Sequence, residues 1–147
     1  MIADTISKKI GDALKAHDEV RLSTLRMLSS ALNYEKIAKQ HDLSSDEEIV
    51  VVQKEAKKRK DAIEAYESAN AKERADKEKE ELKILTEFLP EQLSRTELEM
   101  IVEETIAEVN ASEISDMGKV IGVVMGKVKG KADGKDVSEL VKAKLLK

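Results

Sequence analysis

Gly118, Gly122, Gly126, Gly130 and Gly134 stand four residues apart, and they are five of the six glycines in a chain of 147 residues. On a helix, positions four apart share a face, so the first three would make a strip without side chains. Each glycine costs about 1 kcal/mol relative to alanine inside a helix. The usual compensation is close approach of another backbone. Packing against a neighbouring helix of the same chain is the simpler expectation, and a sugar-phosphate backbone is the alternative. From Gly130 to Gly134 the spacing predicts a helix stop and a turn exposing N–H groups at the next helix start, where anions bind readily.

Lys119, Lys127, Lys129, Lys131 and Lys135 surround these glycines. A phosphate backbone is met by several cations, each releasing condensed counterions, and flexible lysines suit that sequence-independent task. Bidentate base reading would call for arginine, and base stacking for aromatic rings. Residues 117–147 contain neither. The candidate nucleic-acid-binding set is therefore Lys119, Lys127, Lys129, Lys131, Lys135, Gly118, Gly122, Gly130 and Gly134, reading shape and backbone. The competing reading is an ordinary solvated lysine face.

A second basic cluster comprises Lys54, Lys57, Lys58, Arg59 and Lys60. Consecutive cations spread around a helix, and Lys57 with Asp61, Lys60 with Glu64 and Glu55 with Arg59 have the spacing of ion pairs. Arg59 falls on an apolar stripe, as does Arg21, and both are expected to be paired at a bundle edge rather than buried alone. Catalytic parts are missing: His17 and His41 fall at a helix boundary and a loop, and no His-x-x-x-His or Glu-x-x-His pair suggests a metal. No cysteine is present. Neither a cofactor, a metal nor a catalytic residue is predicted.

The elements that would position these residues read as helices. Ile6, Ile10 and Leu14 mark a helix over 4–16 with Asp4 as its cap. Leu25, Leu28 and Leu32, with Leu22 and Ala31, mark another over 18–39. Ser45 and Glu48 have capping-box spacing, so a third helix starts near Asp46 and carries Ile49, Val52, Ala56, Ile63 and Tyr66. Between Glu67 and Glu81 nothing is more apolar than alanine, which predicts a turn at Ser68-Ala69-Asn70 and a fourth helix ending on Leu82, Leu85, Phe88 and Leu89. Pro90 stops it. Ser94 and Glu97 form another capping box, opening a helix to about Val109. Asp116 caps a short helix with Met117, Val120, Ile121, Val124 and Val128 inside, and a last helix from Lys135 carries Val137, Leu140, Val141 and Leu145. The expected fold class is all-α: an antiparallel bundle over 1–89, a linker over 90–93, and a small three-helix domain over 94–147.

Composition supports helices, with charged residues at 38% and aromatics at 2%. One proline and six glycines leave little hairpin chemistry. Net charge is −4, unevenly spread: residues 91–116 carry eight acids against Arg95, and residues 117–147 carry eight lysines against Asp133, Asp136 and Glu139. A basic end on an acidic protein points towards a polyanion contact. No apolar run reaches membrane-spanning length and the N-terminus has no secretory pattern, so a cytoplasmic protein with no membrane contact is expected, as a monomer.

Four segments carry a resemblance: Arg21-Leu22-Ser23-Thr24-Leu25-Arg26-Met27; Lys57-Lys58-Arg59 leading to Tyr66; Phe88-Leu89-Pro90-Glu91-Gln92-Leu93-Ser94; and Asp116-Met117-Gly118-Lys119-Val120 through Lys129-Gly130-Lys131-Ala132-Asp133-Gly134. Over nearly its whole length the chain resembles the GatB/YqeY family, in its stand-alone YqeY-like form. Gly126 departs from that pattern. The resemblance implies an N-terminal helical bundle and a C-terminal domain similar to the tail of the GatB component of the tRNA-dependent Asp/Glu amidotransferase, which contacts tRNA. It thus implies tRNA or that amidotransferase as partner, and an accessory, tRNA-binding role. The family label of carbon–nitrogen ligase with glutamine as amido-N-donor comes with it, although the catalytic domain of the larger enzyme has no counterpart here. A protein-interaction module without RNA contact is the alternative.

Overall fold

The computed structural model describes residues 1–146, which form seven α-helices, one short 3-10 turn and no strand. The all-α expectation holds. The chain divides into two compact units, one over Met1–Leu89 and one from Pro90 onward.

The first unit contains α1 (Ile2–Lys15), α2 (Glu19–Lys39), α3 (Ser45–Ser68) and α4 (Lys72–Thr86). Connections of three to five residues make consecutive helices run antiparallel. Ile6, Leu28, Leu32, Leu43, Val51, Val52 and Leu85 build the core, with Ile10, Phe88 and Leu89 packed against it. The stripe expected on α2 is buried at Leu25, Leu28 and Leu32. On α1 the expectation fails in part: Ala13 is buried, whereas Leu14 is 54% exposed.

Caps also differ from the sequence reading. Asp4 lies in the first turn of α1, and Met1 is the capping residue. The box that opens α3 is Ser44 with Glu47, one residue earlier than expected. That slip frees Glu48, only 1% exposed, to accept hydrogen bonds from the backbone N–H groups of Ile2 at 3.3 Å and Ala3 at 2.6 Å. One carboxylate thereby caps a different helix from its own, satisfying donors at the positive end of α1.

The second unit contains α5 (Arg95–Glu108), a 3-10 turn (Ile114–Asp116), α6 (Met117–Val128) and α7 (Gly134–Leu145). Its core joins Leu98 and Val102 of α5, Val120, Val124 and Val128 of α6, and Val137, Leu140, Val141 and Leu145 of α7. The Ser94–Glu97 capping box forms as expected. Residues 90–93, read as a linker, are fastened to the α6–α7 turn: Leu93 N donates to Lys131 O at 2.9 Å, and Gln92 Nε2 to Gly130 O at 2.9 Å. Asp116 does not cap α6 with its side chain. Its carboxylate turns back to accept from Ser112 N at 3.0 Å and Glu113 N at 3.1 Å.

Candidate functional site

The site is built on α6. Val120, Val124 and Val128 recur every four residues and are all buried, so the opposite side of the helix faces water. Gly118, Lys119, Gly122, Val123 and Gly126 occupy that outer side, and all are exposed. An ideal Cβ placed at Gly118, Gly122 or Gly126 meets no heavy atom within 4 Å. The expected packing of a neighbouring helix against the strip is therefore wrong. The strip is open backbone, held helical by the valines on its far side against an unfavourable glycine propensity.

Gly130 and Gly134 do not share that face. Gly130 is buried in the α6–α7 turn with φ 82, a conformation open to glycine at little cost. Its carbonyl oxygen is occupied by Gln92. Gly134 begins α7, where a Cβ would touch Met125 Cε at an ordinary 3.9 Å. The α7 N-terminus, expected to offer open donors, is capped by its own chain: the Asp133 carboxylate accepts from Lys135 N at 3.0 Å.

The five lysines separate into groups. Lys119 lies on the bare face, and Lys129 and Lys131 project from the turn that follows α6; all three are exposed. Among the described residues no ion pair within 4 Å fixes any of these three. Lys127 is held by α5, with Nζ 2.7 Å from Glu108 Oε2 and 3.0 Å from Thr105 Oγ1. Lys135 is exposed in the first turn of α7. The fold thus gathers Lys119 with Gly118 and Gly122, brings Lys129 and Lys131 to the end of the same helix, and withdraws Lys127 into an ion pair.

Electrostatics follow the same division. The N–H groups of Ser112 and Glu113, assisted by the charge of Lys119, hold the Asp116 carboxyl below its usual value. On α7, Lys144 lies 2.6 Å from Glu103 of α5, and that carboxylate raises its pKa. The acidic α5 and the basic 117–147 segment partly neutralise each other. Residues 91–147 carry nine basic and eleven acidic groups, a net −2. Both charge blocks are plain in the sequence; their pairing was missed there, although acidic and basic helices adjacent in so small a unit are a direct signal of it.

In the first unit Arg21 and Arg59 are paired, as expected. Arg21 meets Glu87 through both terminal nitrogens, at 3.2 and 2.9 Å. Arg59 is buried, with Nε 2.8 Å from Glu81 and 3.5 Å from Glu78. Among the described residues no three His, Cys, Asp or Glu side chains converge as metal ligands, and no helix is long and apolar enough to cross a membrane.

A protein of Schizosaccharomyces pombe, described as "Uncharacterized protein C22F3.15", is 33% identical over 89 residues, which cover 60% of this chain and 72% of the relative. The family model for Yqey-like proteins matches residues 3–145, spanning both helical units and every candidate residue named above. The chain belongs to the Yqey-like protein family.

Proposed function

We propose that the second unit is a docking module for the sugar-phosphate backbone of tRNA, acting as a tRNA-binding or tRNA-amidotransferase-associated accessory module. The observation that carries this reading is the bare outer face of α6. Three glycines burden the helix by about 2 kcal/mol together, and nothing in the unit packs on them in return. A surface stripped of side chains lets a bulky backbone approach closely, and Lys119, Lys129 and Lys131 can each neutralise one phosphate. The resemblance to the GatB tail of the amidotransferase supports the same choice of ligand.

The test is binding of bulk tRNA by the full chain across a series of salt concentrations. Three phosphate contacts correspond to a slope of log affinity on log salt of about −2 to −3. The triple change Lys119→Glu, Lys129→Glu and Lys131→Glu is expected to abolish binding, whereas unchanged affinity and slope would overturn the assignment.

A second reading is a protein-interaction module without RNA contact. Val123, 36% exposed at the edge of the glycine face, favours it, because an apolar side chain beside bare backbone suits a partner helix. Partners that survive nuclease treatment in a pull-down, and are lost on Val123→Glu, would support it. Glutamine-dependent amide transfer, the family label, would show as amide product from glutamine, ATP and misacylated tRNA; none is expected.

A further inference from the structure

A separate cluster lies in the first unit, independent of the tRNA reading. Two carboxylates of α4, Glu78 and Glu81, converge on one guanidinium of α3, that of Arg59. The distances to Arg59 Nε are 3.5 Å from Glu78 Oε2 and 2.8 Å from Glu81 Oε2. Arg59 and Glu81 are buried and Glu78 is four-fifths buried. The third helix packed here, α2, contributes the uncharged Met27, whose Sδ is 3.4 Å from Arg59 Nη2. Lys77 of α4 adds a weaker positive field, and Glu55, one turn before Arg59, is matched by Lys58 at 3.0 Å.

The charge count does not close. With both acids ionised, one guanidinium faces two carboxylates, and a net negative charge is left in a poorly solvated place. Hydrogen bonding does not close either: Glu78 Oε2 and Arg59 Nε are buried without an aligned hydrogen-bond partner. A single proton on Glu78 makes the cluster neutral and gives the unpartnered Glu78 oxygen a role, since Glu78 can then donate to Glu81.

The cluster also sits at a boundary. Towards the α2 side of α3, Val52 and Ala56 are buried. Beyond Arg59, towards the Asn70 turn, no apolar side chain of α3 is fully buried: Ala62, Ile63 and Tyr66 are half-buried. Glu67 meets Lys79 at 2.7 Å, Arg74 lies over the Tyr66 ring at 6.0 Å, and Ala75 is the buried residue of α4 before Glu81. Residues 60–80 therefore form an arm with little apolar adhesion, joined to the core at the Arg59 cluster.

We propose that Glu78 and Glu81 hold one proton between them against Arg59, and that this shared proton closes the arm formed by residues 60–80. Burial and the neighbouring Glu81 charge raise the Glu78 pKa in the closed arm. When the arm opens, Glu78 regains water and titrates as an ordinary carboxylate. A group with a raised folded pKa stabilises the closed form fully below its free value, and that stabilisation is lost as pH rises through the folded value. The arm is tightest in acid and loosens towards neutrality, and each unit of elevation changes the opening constant about tenfold.

The experiment is amide hydrogen exchange of the full chain between pH ~4.5 and ~7.5, corrected for intrinsic rates and referenced to the buried α2 core around Leu28. Protection across residues 60–80 is expected to fall by about threefold or more relative to that reference. In Glu78→Gln, whose amide can donate to Glu81 at any pH, the arm stays protected and the slope disappears. Glu81→Gln removes the second negative charge but leaves burial acting on Glu78, so it reduces the slope, and it serves where the first variant fails to fold. A flat wild-type profile, a slope that persists in folded Glu78→Gln or is undiminished in Glu81→Gln, or a Glu78 carboxyl seen by NMR to titrate at or below the ordinary glutamate value would each overturn the proposal.

Discussion

Changing Gly118, Gly122 and Gly126 together to alanine separates what the α6 face costs from what it does. Alanine gains up to about 1 kcal/mol over glycine in a helix interior. Gly122 is central in α6 and takes the full gain; Gly118 and Gly126 lie within the terminal turns and take less. The sum is about 2 kcal/mol, with no steric debit because each added methyl meets open space. In the intact chain, about 2 kcal/mol slows exchange of the second-unit core amides, Val124 among them, by about thirtyfold. On the docking reading the same three methyls hold a backbone away, and affinity for bulk tRNA drops on the order of tenfold. A variant no more stable than wild type would refute the open face. A more stable variant with unchanged tRNA affinity would confirm the face and refute its use for RNA.

Three further outcomes follow from particular contacts. Glu48→Gln weakens the cap on Ile2 and Ala3, and urea unfolding is expected to show a loss of about 1–3 kcal/mol, as for hydrogen bonds to a buried charged acceptor. Lys127→Ala removes a half-exposed ion pair, so stability falls by less than about 1 kcal/mol and tRNA affinity is unchanged; a large loss of binding would return Lys127 to the proposed interface. Asp116→Asn lowers the melting temperature at neutral pH. Because the folded Asp116 pKa is depressed, its contribution is present above the unfolded value and lost as pH falls through the folded one. The two melting curves should therefore converge in acid.

Helices and their buried faces were legible because the apolar spacing is strong where burial is complete, as at Leu25-Leu28-Leu32 and Val120-Val124-Val128. Boundaries were less so. The run Ser44-Ser45-Asp46-Glu47-Glu48 offers two overlapping boxes of the same spacing, and only the tertiary position of the α1 N-terminus decides that Glu48 points inward. Most helix stops were read to within about a residue, although glycine marks few of them. His17, Gln40, Asn70 and Asn110 take the left-handed conformation between helices, with φ of 54 to 60, at roughly 1–2 kcal/mol each for residues with a Cβ. The glycines that would mark such stops at no strain are placed instead inside α6. Sequence reasoning placed those glycines on one face but covered them with a neighbouring helix, because helix propensity weighs only contacts within the chain. Arg59 was legible as a paired residue, but its acids lie about twenty residues ahead on α4, beyond the reach of helical spacing.

Charge in the second unit sharpens what the bare face of α6 could select. At physiological ionic strength the Debye length is about 8 Å, so a ligand several residues away senses little beyond its nearest charges. Approaching α5, a polyanion meets an acidic helix whose Glu103 and Glu108 already hold Lys144 and Lys127. The unit as a whole, at net −2, does not attract polyanions from a distance. Of the candidate lysines, Lys119, Lys129 and Lys131 have no ion pair within 4 Å among the described residues, and they act only on a ligand already close to α6. Close approach is what Gly118, Gly122 and Gly126 permit. On the docking reading, shape therefore acts before charge: a backbone that fits the bare face of α6 reaches the lysines, and one that does not is left facing α5. With so few cations engaged, affinity stays modest, which suits a module working beside another tRNA-binding protein, where effective concentration supplies what contact area does not.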